Sequence, residues 1–135
     1  MSLATRRHGI ACLALLTLAA CSGDDTTDPG TTDLSGNYTL VSFQQGALGP
    51  FTPTTQPAAT GSLVMTATTY NITVSIGGQV AIVDNGTYTV SGNSITQTSA
   101  VQPVQSVGTW TKSGNQYTID VTAVGQRVIS TWQKQ

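Results

Sequence analysis

The stretch YNITVSI, residues 70–76, puts Tyr70, Ile72, Val74 and Ile76 on one side of an extended chain and Asn71, Thr73 and Ser75 on the other. Successive side chains of a strand point to opposite faces, so this alternation predicts a strand with one face on a core and one in water. YTIDV, residues 117–121, repeats the pattern, with Tyr117, Ile119 and Val121 against Thr118 and Asp120. No helical stripe runs through residues 34–135, where Thr and Val recur and the polar positions are mostly Thr, Ser, Asn and Gln. Branched and aromatic side chains of this kind fit the pleated, half-buried surface of a sheet.

Outward from these strands, the turns are legible. Ser-Gly-Asn occurs at 35–37, 91–93 and 113–115, and the last two copies separate strand patterns. Gly and Asn adopt positive φ cheaply, so both read as hairpin turns. IGGQ at 76–79 and VGQ at 124–126 are two more, and ATT at 67–69 is a weaker one. The intervals between the Ser-Gly-Asn copies are unequal, which argues against a solenoid. Eight strands are expected, over residues 37–43, 61–67, 70–76, 79–90, 94–98, 104–111, 116–122 and 127–133.

This is an all-β domain, and an eight-stranded antiparallel up-and-down meander closing into a barrel is the expected architecture, since closure removes exposed sheet edges. A β-sandwich is the alternative, because linear pattern alone does not separate the two. A membrane-spanning barrel needs strands of about 9–11 residues with an apolar outer face. Most runs here are shorter, with Thr-rich outer faces.

Residues 34–135 carry five charged side chains, Asp84, Lys112, Asp120, Arg127 and Lys134, and no Glu or His. A Ser-His-Asp or Cys-His arrangement needs a histidine, and so does a His/Cys zinc site. Asp84 and Asp120 are the one pair to weigh as glycosidase carboxylates. Asp120 falls on the polar face of its strand, and Asp84 precedes Asn85-Gly86, a turn or bulge signal. No enzymatic activity, no cofactor and no metal are expected. From Ser22 onward the chain has three basic and six acidic residues, a formal charge of −3. Phosphate backbones are bound by clustered Lys and Arg, so nucleic acid is not an expected partner. Asn-x-Thr sequons at Asn37, Asn71 and Asn85 read as strand and turn residues.

The chain opens with Arg6, Arg7 and His8, followed by an apolar run from Ile10 to Ala20. A basic head and a short apolar run describe a secretory signal, too short for a spanning helix. Cys12 lies within the run, which leaves Cys21 without an internal disulfide partner. LAAC, formed by Leu18, Ala19, Ala20 and Cys21, resembles the lipobox of bacterial lipoproteins. The resemblance implies a diacylglyceryl group on the Cys21 thiol, cleavage before Cys21, and an acyl chain such as palmitate on the new amino terminus. Residues 1–20 are then the signal peptide and Cys21 holds the protein to a membrane. Buried acyl chains contribute about 0.8 kcal/mol per CH₂, and two membrane signals suffice for stable anchoring. Ser22 after the cysteine implies the outer membrane in a host with two. Residues 22–33, SGDDTTDPGTTD, contain no aliphatic or aromatic side chain. Residues 21–33 read as the lipidated cysteine and a flexible acidic linker; the tail lacks the spacing of a calcium loop.

LSGNYTLVSF near the start of the domain, NGTYTVSGNSIT in the meander and a last strand ending RVISTWQK resemble the lipocalin-like domains of bacterial lipoproteins. In the calycin pattern a Gly-x-Trp on the first strand packs beneath an Arg of the last strand. Gly36-x-Tyr38 and Arg127 are the matching positions, with Tyr in place of Trp. The resemblance implies a non-enzymatic barrel over 34–135 that holds a small hydrophobic ligand. Inward candidates for lining such a cavity, or for filling the barrel solid, are Tyr38, Leu40, Ile72, Val74, Tyr88, Tyr117 and Ile119. The segment 44–60 is a long loop held by Pro50, Pro53 and Pro57. Its aromatic, Phe51, either plugs the barrel mouth against a ligand or caps the core to exclude water. The other class of function is a structural module binding an envelope protein or glycan on its outer surface. A cavity of several hundred Å³ favours the carrier, and a filled interior with exposed Trp110 or Trp132 favours the module.

Overall fold

The structure is a computed structural model that describes residues 32–135. The signal peptide, the lipobox residues Leu18, Ala19 and Ala20, and Cys21 lie outside the described residues. Nine strands follow one another: β1 (Gly36–Gln45), β2 (Leu48–Phe51), β3 (Ala59–Met65), β4 (Thr69–Ile76), β5 (Gln79–Ser91), β6 (Ser94–Ser99), β7 (Gln105–Ser113), β8 (Gln116–Ala123) and β9 (Gln126–Lys134). Their order in the sheet is β2-β1-β3-β4-β5-β6-β7-β8-β9, and β9 pairs back onto β1. Every pairing is antiparallel, so β1 and β3–β9 form a closed eight-stranded up-and-down barrel. The pairing of Tyr38 with Lys134 through Gln45 with Val128 removes the sandwich alternative.

The ninth strand, β2, lies outside the barrel, where Phe51 pairs with Phe43 of β1. It falls within the segment expected to be a loop. Pro50 is tolerated there because an outer-edge strand need not donate from every residue.

The alternating side chains read from 70–76 face the interior. Leu63 pairs with Ile72, and Ile72 with Asp84, on one inward row. In β1 a bulge between Leu40 and Ser42 shifts the phase. Leu40 and Phe43 therefore both turn inward, at 2% and 1% exposure, despite their odd spacing. Trp132, Ile95, Val74 and Leu63 complete the most deeply buried set. Each such side chain contributes about 1.5–3 kcal/mol by leaving water.

The Asn85-Gly86 signal has a different cause from a turn. β5 runs unbroken through it, with Asn71 opposite Asn85 and Tyr70 opposite Gly86. A Cβ on Gly86 would lie 2.0 Å from the Thr98 carbonyl oxygen, so glycine is required for β5 and β6 to approach. Gly108 does the same against the Asp120 carbonyl of β8.

The two barrel ends differ. At one end lie the connections 66–68, 92–93 and 114–115 and the incoming segment 33–35. Leu34 is buried there, and its carbonyl accepts a 2.5 Å hydrogen bond from the Tyr38 hydroxyl. The Tyr38 ring meets Tyr117 edge-on at 5.3 Å, and Trp110 stacks on Tyr117 at 6.4 Å. The gap left among Leu34, Tyr38, Leu63, Met65, Trp110 and Tyr117 is about 10 Å³. That is at the lower limit for a single water, so the interior between these side chains is filled; beside it, Thr32, Asp33, Ala67, Thr68, Tyr88 and Val90 border a groove of about 490 Å³.

Candidate functional site

The opposite end is open. Around it stand the turns 46–47, 77–78 and 124–125 and the loop 100–104. The loop 100–104 and the turn 124–125 border a cavity of about 370 Å³ whose walls include Gln45, Ile82, Asp84, Ser99, Val104 and Val128. Its size falls in the range of about 300–1,000 Å³ usual for small-molecule sites. The rim is mixed: Val83 is 60% exposed, Val101 59% and Val124 84%, and they line the cavity together with exposed Gln102 and Gln126.

Asp84 is the cavity's ionisable side chain, and long-range contacts place it. Tyr70 donates to its Oδ2 at 2.7 Å, Ser99 Oγ to its Oδ1 at 2.5 Å, and the Asn85 backbone N–H to the same Oδ1 at 2.9 Å. Burial pushes the Tyr70 phenol well above its ordinary range, and the hydrogen bond to Asp84 and the carboxylate's charge add to the effect. Ser99 Oγ also accepts from the backbone N–H groups of Val101 and Gln102, at 3.1 and 3.0 Å. The carboxylate thus reaches through Ser99 to hold the start of the loop 100–104. The Asn85 carbonyl, accepting from Ala100 N–H at 2.7 Å, fastens the same loop to β5.

The rim turn at 124–125 is strained. Val124 has φ 49°, a left-handed conformation that costs a non-glycine residue about 1–2 kcal/mol and is unusual for a β-branched one. Its side chain projects into solvent beside the cavity rather than into the core.

The residues read as lining a cavity or filling the barrel solid lie away from the mouth. Tyr38, Leu40, Val74, Tyr88, Tyr117 and Ile119 are buried core residues and Ile72 packs against them. None of the seven borders the open cavity. They fill the barrel's middle and closed end, as the narrow interior of eight strands allows. Phe51 also packs against this core and is not among the residues that border the open cavity. Trp132 is wholly buried, with Nε1 donating to Ser130 Oγ at 2.8 Å, and Trp110 donates to the Gly92 carbonyl at 2.9 Å.

The expected closing pair of Tyr38 and Arg127 does not form. Arg127 begins β9 at the open end and points outward, where its Nε and Nη2 donate to the Asp120 carboxylate at 2.9 and 2.6 Å. Lys134, at the other end of β9, takes the closing position. Its Nζ lies 5.8 Å from the Tyr38 ring centre and donates to the Ser35 carbonyl at 2.7 Å. The antiparallel register decides this, because it sets Tyr38 opposite Lys134 and leaves Arg127 opposite Thr122. Asp84 and Asp120 are likewise separated, one facing the interior and one on the outer face with Arg127. Among the described residues no three His, Cys, Asp or Glu side chains gather as a metal site requires.

Nothing in the sequence signals pointed to the mouth residues as a set. The nearest signal is valine where a turn or loop calls for polar residues, in AVQPV at 100–104 and AVG at 123–125. No protein-family model matches the chain, and no curated protein matches it either.

Proposed function

We propose that this chain is a lipid-anchored, non-enzymatic protein of a bacterial cell envelope whose lipocalin-like barrel carries a small hydrophobic molecule in its open mouth. The observation that carries the reading is the contrast between the ends. The barrel interior is filled at one end, with a gap of about 10 Å³, and opens at the other into a cavity of about 370 Å³ whose rim carries Val83, Val101 and Val124 beside Gln102 and Gln126; the groove of about 490 Å³ beside the filled end is bounded by Asp33, Thr68 and Tyr88 and does not reopen that gap. Anchoring through Cys21 rests on the lipobox-like LAAC and the signal before it. Ser22 supports the outer membrane as the destination. The described chain enters at the closed end, through Asp33 and Leu34. The mouth therefore opens on the side of the barrel away from the tether.

The test is native mass spectrometry of the full chain purified from a bacterial envelope, followed by solvent extraction. A co-purifying apolar molecule at one per chain, with an acylated Cys21 as the first residue, is the expected result. A bare protein mass that also takes up no apolar dye overturns the carrier. The exposed rim would then be read as the seat of an envelope protein or glycan.

A further inference from the structure

Resting on the reading of the mouth as a ligand site, the charge inside it narrows the ligand class. Of the residues lining the cavity, Asp84 is the one that ionises; its polar companions Gln45, Ser99, Gln102, Ser106 and Gln126 are neutral. Among the described residues the cations are all engaged away from it. Arg127 is paired with Asp120 on the outer face, Lys134 sits at the closed end between Tyr38 and Ser35, and Lys112 lies over the Tyr117 ring at 5.4 Å. Asp84 is thus held by three hydrogen bonds and by no ion pair. A carboxylate kept partly out of water in a cavity of mixed polarity, with its orientation fixed by three donors and no cation beside it, is complementary to a cation. Both oxygens have lone pairs left over.

We infer that the mouth is built for a cationic amphiphile, an alkyl amine in chemical class. Its ammonium pairs with Asp84 and its tail lies against Ile82, Val101, Val104 and Val128. The rim valines, including the strained Val124, then cover the tail. Fixing Asp84 through Tyr70 and Ser99 before any ligand arrives lowers the ordering cost of binding.

The experiment compares octylammonium, octanol, octanoate and butylammonium on the full chain by titration calorimetry, in buffer without detergent. Octylammonium is expected to bind at least about tenfold more tightly than octanol, the value of one charge-assisted hydrogen bond, with octanoate weakest. Asp84→Asn should remove that preference while octanol binding persists. Should Asp84→Asn fail to fold, Val83→Lys on the exposed rim serves instead. It sets a positive charge beside the cavity and should weaken octylammonium and strengthen octanoate.

Equal or tighter binding of octanoate overturns the amine and leaves the carrier standing. If none of the four ligands binds, the carrier itself falls. Butylammonium, which reproduces a lysine stem, should bind far more weakly than octylammonium. If the two bind alike, the tail contributes nothing and the occupant is a lysine of a partner protein, which also overturns the proposal.

Discussion

Tyr70 of β4 donates its hydroxyl hydrogen to Asp84 Oδ2 of β5 at 2.7 Å, inside a barrel whose other inward residues are mostly apolar. The two are diagonal neighbours across one strand pair, Tyr70 facing Gly86 and Asp84 facing Ile72.

Removing that donor should be felt as stability. Tyr70→Phe keeps the ring and leaves one carboxylate oxygen without its protein partner. A hydrogen bond to a charged group contributes about 1.5–3 kcal/mol. The urea midpoint should fall by the corresponding amount with an unchanged slope. An unchanged midpoint would show that solvent already satisfies Asp84 at the mouth.

At the rim, stability and binding should move in opposite directions. Val124→Asn places a residue that tolerates left-handed backbone at φ 49°, and it should stabilise the fold by about 1 kcal/mol. The same change removes an apolar side chain from the cavity wall, so an octyl ligand should bind more weakly. Denaturation and calorimetry on one variant check both signs. A loss of stability would contradict the strain.

These residues also show what the sequence makes legible. Alternation at 70–76 and 117–121 can be read because its period is a local property, and the hairpins follow from local Gly-Asn chemistry. Asp84 cannot be placed the same way. Its own neighbours, Asn85 and Gly86, spell a turn, while its partners Tyr70 and Ser99 lie 14 and 15 residues away. The choice between Arg127 and Lys134 at the closed end depends on strand direction, because β9 runs antiparallel to β1 and brings its last residues, Lys134 among them, to Tyr38. Likewise β2 hides in LGPF, whose Gly and Pro look like a loop until the edge of β1 accepts it.

The closed end should depend on Leu34 more than its place at the margin of the fold implies. Leu34 is 2% exposed and its backbone carbonyl caps Tyr38. Leu34→Ala empties a site that the rigid wall of Tyr38, Met65 and Trp110 cannot refill, at a cost of about 2–5 kcal/mol. Arg127→Ala removes only an exposed ion pair, whose side chains are 62% and 30% exposed, and should change stability little. Paired denaturation curves for the two variants test whether closure lies with Leu34 and Lys134 or with Arg127.

Alkaline pH should unfold the barrel through its inward tyrosines. Burial, and then the nearby Tyr117 and Tyr88 phenols, push Tyr38 up to about 12, and burial raises Tyr70 and Tyr88 as well. Each is favoured neutral in the fold and ionises near 10 when unfolded. A folded-state value above the unfolded one gives stability that is complete below pH 10. That stability is lost as pH rises through the folded value. For Tyr38 alone the loss is about 2–3 kcal/mol by pH 12, and it falls on the unfolded side because that chain releases its proton first. Stability should therefore be flat through neutral pH and drop steeply above pH 10, with tyrosinate absorbance appearing together with loss of the sheet signal. Tyrosinate forming near pH 10 while the sheet signal persists would mean that these phenols are open to water.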